Sequence, residues 1–502
     1  MKKSLLIIVG ILFFLVILFF SVKTVVTNKV ESRIDEMFGE TSEYEELEVS
    51  LLQREISIKG LNYNKRGNTV HAERVSMSGI GFLDYLRKGI LNINKFTFEK
   101  PEIIVTQSDS IPKKSPKKEF KQEISIGQII ANDGTFKLRK EGNTGNEIFL
   151  RFPELAISEV SIDSTTLKNT IPFNYATYHI KSDSLRFNLN PQHFISAGNL
   201  SIDKGGHTTV RDFRIIPYYN KPKFDQNIPY EQDRISLRVK DVKLDSLNFA
   251  FQDGWMYLRN PTMSVSGAYL EIYRNKELPD DPRERQLYSE MLRNAPVKLD
   301  FTKLKVSNSH IKYEEKIKSG RPPATVVFTI KNAEINNITN IGLDREDFPI
   351  TKAHVDATFQ EVVPLSVDWS FNTSNSNDKF LFSGKFGVVP GEALNTILRP
   401  SMNMEAKGKI KDTWFTFSGN REVLTGDVRL NYDDFKFIFL KDGSREKKNF
   451  LTAIANLFVD NDGISGENVS KEVNVTRDVH VSFWGYVWSG LRTGVRKTFS
   501  QL

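Results

Sequence analysis

The sequence predicts a mainly β protein: an N-terminal transmembrane helix, then a long antiparallel sheet with one apolar face, and a few short helices. Three observations predict it. The residues from Ser4 to Val22 form an uncharged run, segment after segment alternates apolar with polar side chains, and a thirteen-residue pattern recurs along the chain.

Sixteen of the nineteen residues from Ser4 to Val22 are Leu, Ile, Val or Phe. As a helix such a run spans about 28 Å, the thickness of a hydrocarbon core. Leu5, Ile8, Ile11, Phe14, Leu18 and Phe20 are its lipid-facing candidates. Lys2 and Lys3 would also suit a cleaved signal peptide. However, the run is longer than a usual signal core, and Ser21-Val22-Lys23 is no small-x-small cleavage site. An uncleaved anchor is therefore expected over residues 1–29. Basic residues flank the span on both sides (Lys2 and Lys3; Lys23, Lys29 and Arg33), so charge alone does not orient it. A short leading tail and a large following body fit an anchor that exports the body.

The totals narrow the function classes. The chain has 69 basic and 62 acidic residues, interspersed, for a net charge of +7. That is a mildly basic surface suited to anionic headgroups, without the basic stripe of a nucleic-acid binder. There is no cysteine, so disulfides, thiolate nucleophiles and Cys-ligated metals are excluded. Phe is abundant, at 36 of 502 residues, and supplies much apolar surface.

Lys23 to Glu48 is polar and reads as a neck. Glu55 to Tyr63 then alternates as a strand with one wet face. Ile80 to Lys88 has the spacing of a short amphipathic helix. Gln107 to Gln122, with two prolines and five lysines, reads as a disordered loop. The thirteen-residue pattern places apolar residues at positions 1, 4, 6, 11 and 13. Its copies begin at Ile93, Ile126, Val239 and Phe301. Each copy reads as two short strands joined by a kink at position 9, with one apolar and one polar face. The spacing of the copies is irregular, which argues against a strict solenoid.

Further strands are expected at Leu185-Phe187-Leu189, Ile235-Leu237-Val239, Leu365-Val367-Trp369-Phe371, Phe380-Phe382 and Val428-Leu430-Tyr432. After a one-residue shift suggesting a bulge comes Phe435-Phe437-Phe439. Helices are expected at Asp281 to Asn294, Glu392 to Leu398, Lys447 to Val459 and His480 to Leu502. In the last, Trp484, Trp488, Leu491, Val495 and Phe499 share a face, with Arg492, Arg496 and Lys497 mainly off it. Two readings stay open for that helix: it lies in a membrane interface, or it docks over the end of a sheet.

No chemistry assembles. The seven histidines are scattered, and none has a histidine partner at metal-ligand spacing. GxSxG, HExxH, Walker A and GxGxxG patterns are absent. Gly205-Gly206-His207, Asp433-Asp434 and Asp460-Asn461-Asp462 read as turns, and Asp280-Asp281 as a helix cap. No catalytic residue, metal ligand or cofactor is expected, and the chain does not read as an enzyme.

Several stretches taken in order resemble a known family. They are Leu398 to Asn403, Ile410 to Asn420, Leu424 to Tyr432, Phe435 to Leu440, Lys448 to Asn456 and Phe483 to Trp488. With the N-terminal run and the strand-rich body, they resemble the AsmA-like proteins of Gram-negative envelopes, relatives of bridge-like lipid-transfer proteins. The resemblance is good over the anchor and the last 140 or so residues, and rests on pattern alone between about 140 and 350. It implies a curved β-groove with an apolar inner wall that conducts phospholipid between membranes. It also implies an inner-membrane, single-pass protein with most of the chain in the periplasm. The expected organisation is an anchor (1–29), a repetitive β body (30–350), an AsmA-like C-terminal β region (351–479) and an aromatic-basic helix (480–502).

A sheet with one apolar face must cover it with a second sheet, with helices or with lipid chains. The lipid-groove candidates are Leu365, Val367, Trp369, Phe371, Phe380, Phe382, Val428, Leu430, Phe435, Phe437 and Phe439. The leading expectation is phospholipid binding or conduction, with other envelope proteins as further partners and no nucleic acid. The alternative is a non-enzymatic envelope assembly factor, for example in outer-membrane protein biogenesis, with a closed dry core.

Overall fold

The structure is a computed structural model that describes residues 42–50, 53–65, 67–81, 90–107, 123–142, 145–166, 169, 171, 173–440 and 469–499. The anchor candidates Leu5, Ile8, Ile11, Phe14, Leu18 and Phe20 lie outside the described residues. So do nearly all of the helix expected from Ile80, the loop after Gln107, the helix expected at Lys447 to Val459, and the Asp460 turn. Among the described residues no helix is long and apolar enough to cross a membrane.

The described chain is mainly β. In order it forms β1 (Ser42–Glu43), β2 (Glu46–Ser50), β3 (Glu55–Lys65), β4 (Asn68–Ser78), β5 (Ile90–Glu99), β6 (Glu102–Gln107), β7 (Glu123–Lys140) and β8 (Asn146–Ile162). Then come β9 (Thr177–Ser182), β10 (Ser184–Asn190), β11 (His193–Ala197), β12 (Asn199–Ile202), β13 (Thr208–Pro217), α1 (Lys221–Gln226), β14 (Arg234–Asp245), β15 (Asn248–Gln252) and β16 (Trp255–Asn275). The rest is α2 (Tyr288–Arg293), β17 (Lys298–Lys316), β18 (Ala324–Thr339), β19 (Thr351–Phe359), β20 (Val363–Phe371), β21 (Phe380–Phe386), β22 (Val389–Pro390), α3 (Gly391–Met402), β23 (Met404–Gly419), β24 (Val423–Phe439), β25 (Val469–Thr476) and α4 (Phe483–Phe499).

Two compact units result: Met1–Phe213 with Lys243–Met256, and Arg214–Val242 with Tyr257–Leu502. The division expected at residue 350 falls inside the second unit. In the first unit, Ile58, Val75, Phe98, Ala131, Leu155 and Ile180 are partners across successive strands β3, β4, β5, β7, β8 and β9. This row is buried as far as Ala131 and half-buried from Leu155 onward.

The sheet is mixed, which corrects the expectation of an antiparallel one. β5 and β6 run parallel to β7, and β16 runs parallel to β17. The repeat explains this. Ile93, Phe96, Phe98, Ile103 and Val105 of one copy pair with Ile126, Ile129, Ala131, Phe136 and Leu138 of the next. Like positions stand side by side, so the apolar columns stay continuous and the two kinks coincide.

Those kinks sit one residue earlier than expected. Position 8 of each copy, namely Lys100, Asp133, Ser246 and Asn308, has a left-handed φ of 48° to 52°. A left-handed residue lets the strand turn while the alternation resumes on the same face. β16 hides a fifth copy, because Asn260, Met263, Val265, Leu270 and Ile272 pair with positions 1, 4, 6, 11 and 13 of β17. Its position 8 is Gly267, with φ of 67°.

The left-handed geometry sets a test. Asn308→Val should cost about 1–3 kcal/mol in denaturant unfolding, because a β-branched side chain is strained there, while Asn308→Gly should cost nothing or stabilise slightly. Equal losses for both would contradict a conformational role for position 8.

Candidate functional site

In the second unit, register places apolar residues in rows that cross nine strands. Met263, Leu304, Ile335, Ala353, Trp369, Phe382, Phe417, Gly426 and Val473 are partners across β16 to β21 and β23 to β25. A neighbouring row runs Val265, Val306, Ala333, Val355, Val367, Gly384, Phe415 and Val428. Residues paired directly across strands share a face, so these rows form one apolar surface. One residue along each strand the row becomes Ser264, Lys305, Glu334, His354, Asp368, Ser383, Thr416, Asp427 and Glu472. The alternation thus gives one apolar and one polar face.

Helices cover part of the apolar face. α4 packs on β23, β24 and β25 through Phe483, Tyr486 and Val487, each at most 4% exposed. Gly490 and Gly494 let it sit low. A Cβ at Gly494 would lie 2.4 Å from Val428 Cγ2, and one at Gly490 would lie 2.9 Å from Leu424 Cδ2. α3 packs on β18, β22 and β23. Its buried Asn395 accepts from Ala406 N at 2.7 Å and donates to Ala406 O at 3.3 Å. α2 is pinned by the buried Asp378 carboxylate, which accepts from Ser289 Oγ at 2.8 Å and from Arg293 at 2.7 Å.

Most of the lipid-groove candidates sit in or against this covered core. Leu365, Phe371, Phe380, Phe382, Val428, Leu430 and Phe435 are buried, and all but Leu365 belong to the core that the helices close. Val367, Trp369 and Phe437 are half-buried against that core, and Phe439 is half-buried. The open part of the face lies elsewhere. Met263, Val265, Leu304, Val306, Ala333, Ile335 and Val355 are all half-buried, and none belongs to a core cluster. Sequence reasoning missed this patch because covered and uncovered strands alternate identically.

The C-terminal helix is docked, and its expected face is split. Leu491 and Val495 pack toward the core, whereas Trp484 and Trp488 are each 54% exposed and Arg492 and Arg496 are exposed. Phe499 closes α4. Trp484 also leans on the sheet, its ring 6.2 Å from that of Trp369 and 6.1 Å from that of Phe382, with its Nε1 donating to Tyr288 Oη at 2.9 Å.

On the polar face His354 donates or accepts at 2.8 Å with Asp368 and lies 3.4 Å from Asp356. The hydrogen bond to Asp368 raises its pKa above the ordinary value. The carboxylates expected to cap or turn do other work. Asp281 is buried and binds Arg283 and Arg285 at 2.6–2.8 Å, which holds its pKa down at about 2 through the Arg283 hydrogen bonds. α2 instead starts at Tyr288, after Leu287. Asp433 and Asp434 lie within β24, where Asp434 is left-handed, with φ of 45°. Among the described residues no group of three or more His, Asp or Glu could hold a metal ion.

Two measurements follow from this geometry. Phe417→Ala, under α4, should cost about 3–5 kcal/mol, while Ile335→Ala, half-buried and outside both core clusters, should cost under about 1.5 kcal/mol; similar losses would mean that both are covered. A raised histidine pKa contributes stability that is full below about pH 6.5 and is lost as pH rises through the raised value. Asp368→Asn should thus lower the thermal midpoint slightly at about pH 5.5 and not at about pH 9, the effect being small because the pair is exposed. A loss that grows with pH would contradict the pairing.

Comparison with known proteins adds no identification: no family model matches the chain, and no curated protein sequence matches it.

Proposed function

We propose that this chain is an AsmA-like, membrane-anchored envelope protein that holds phospholipid acyl chains against the uncovered part of its apolar sheet face. The observation that carries the reading is the contrast within one surface. Among the described residues α3 packs on β18, β22 and β23 and α4 on β23 to β25, while Met263, Val265, Leu304 and Val306 of β16 and β17 are half-buried and belong to no core cluster.

Laying an acyl chain there removes apolar surface from water at roughly 0.8 kcal/mol per methylene, without any specific polar contact. Such binding is tight enough to retain a tail and general enough to release it, which suits a conduit better than a receptor. The proposed setting is the inner membrane, through the Ser4 to Val22 run, with the β body in the periplasm. A second reading, an assembly factor acting through protein contacts, draws support from the closed core under α3 and α4.

Photo-crosslinking in intact cells separates the two. A photoreactive residue at Ile335 or Val306 of the full chain should yield lipid adducts by mass spectrometry. One at Glu334 or Lys305, on the polar face, should yield none. Protein adducts alone at Ile335 would replace lipid binding with the assembly reading.

A further inference from the structure

We infer that the outer face of α4 is a docking surface for an anionic lipid bilayer. Trp484, Trp488, Arg492 and Arg496 recur every four residues and are all exposed. They form one stripe about 18 Å long, whose first member, Trp484, also touches Trp369 and Phe382 of the sheet. Phe483, Tyr486, Val487, Gly490 and Gly494 already hold the other side in the core. Trp488 and Arg492 take no part in the core that holds α4.

Its chemistry points to one occupant. From Phe483 to Phe499 the helix carries Arg492, Arg496 and Lys497 and no acidic residue. Its exposed apolar side chains are two tryptophans, the residue type that settles at headgroup level with its ring in the acyl boundary. Tyr288 of α2, 37% exposed, extends the patch beside Trp484. Arginines beside tryptophans complement phosphate headgroups, and a helix fixed on a rigid sheet loses little freedom when it lands. The inference stands apart from acyl-chain binding by the sheet, so either can fail alone.

The absence of cysteine allows a direct test. The full chain, in nanodiscs of phosphatidylcholine, carries Trp488→Cys labelled with an environment-sensitive dye and is mixed with vesicles of equal parts phosphatidylcholine and phosphatidylglycerol. The dye emission should shift to the blue, whereas vesicles of phosphatidylcholine alone should leave it unchanged. A dye at Leu189→Cys, an exposed residue of the other unit, should respond to neither. With the native Trp488 in place, Arg492→Glu with Arg496→Glu should lower vesicle affinity about tenfold or more and leave the thermal midpoint unchanged. No shift with anionic vesicles, an equal shift with neutral ones, undiminished affinity in the double variant, or a shift only on adding another protein would each overturn the inference.

Discussion

Everything in the second unit follows from one constraint: a strand shows alternate side chains to opposite faces, so a sheet that keeps Phe, Ile, Val and Leu in register must hide one whole surface from water. Pairing carries that register across nine strands, from Met263 to Val473 in one row. Burial at its far end, at Phe382, Phe417 and Val473, supplies driving force that, in a chain without cysteine, no disulfide can supply. The polar row through Lys305, Glu334, His354 and Asp368 is the necessary counterpart, solvated and lightly cross-linked by charge.

How the surface is hidden differs along the sheet. Over β23 to β25 the protein uses α4, and the two glycines facing Leu424 and Val428 set how closely the helix approaches. Over β18, β22 and β23 it uses α3, tied to Ala406 through Asn395. Among the described residues Val265 and Val306 of β16 and β17 belong to no core cluster, yet the apolar pattern continues unchanged through them. That stretch is the one the proposed acyl-chain binding would use.

Much of this was legible in the chain itself. Alternation located eleven of the 25 described strands and showed which residues share a face, because a period of two is a direct consequence of strand geometry. Strand direction was not legible: alternation is the same read either way, so the parallel pairing of the repeats had to come from coordinates. The fifth copy in β16 escaped because its first position is Asn260, a polar residue where the others are apolar. The position of the kink escaped because left-handed Lys100, Asp133, Ser246 and Asn308 have no common side-chain chemistry. The inner side of α4 was misjudged because tryptophans outweigh glycines on any hydropathy scale, whereas close packing selects the glycines. Pro282 and the Asp281 ion pairs keep the segment before Tyr288 extended, which shortens the helix expected there.

The most direct test is an experimental map of the full chain, extracted with its native lipid and resolved to side chains. Elongated density lying along Leu304, Ile335 and Val306, with no polypeptide above them, is what the account predicts. Protein side chains packed over those three residues, leaving no space for a tail, would contradict it.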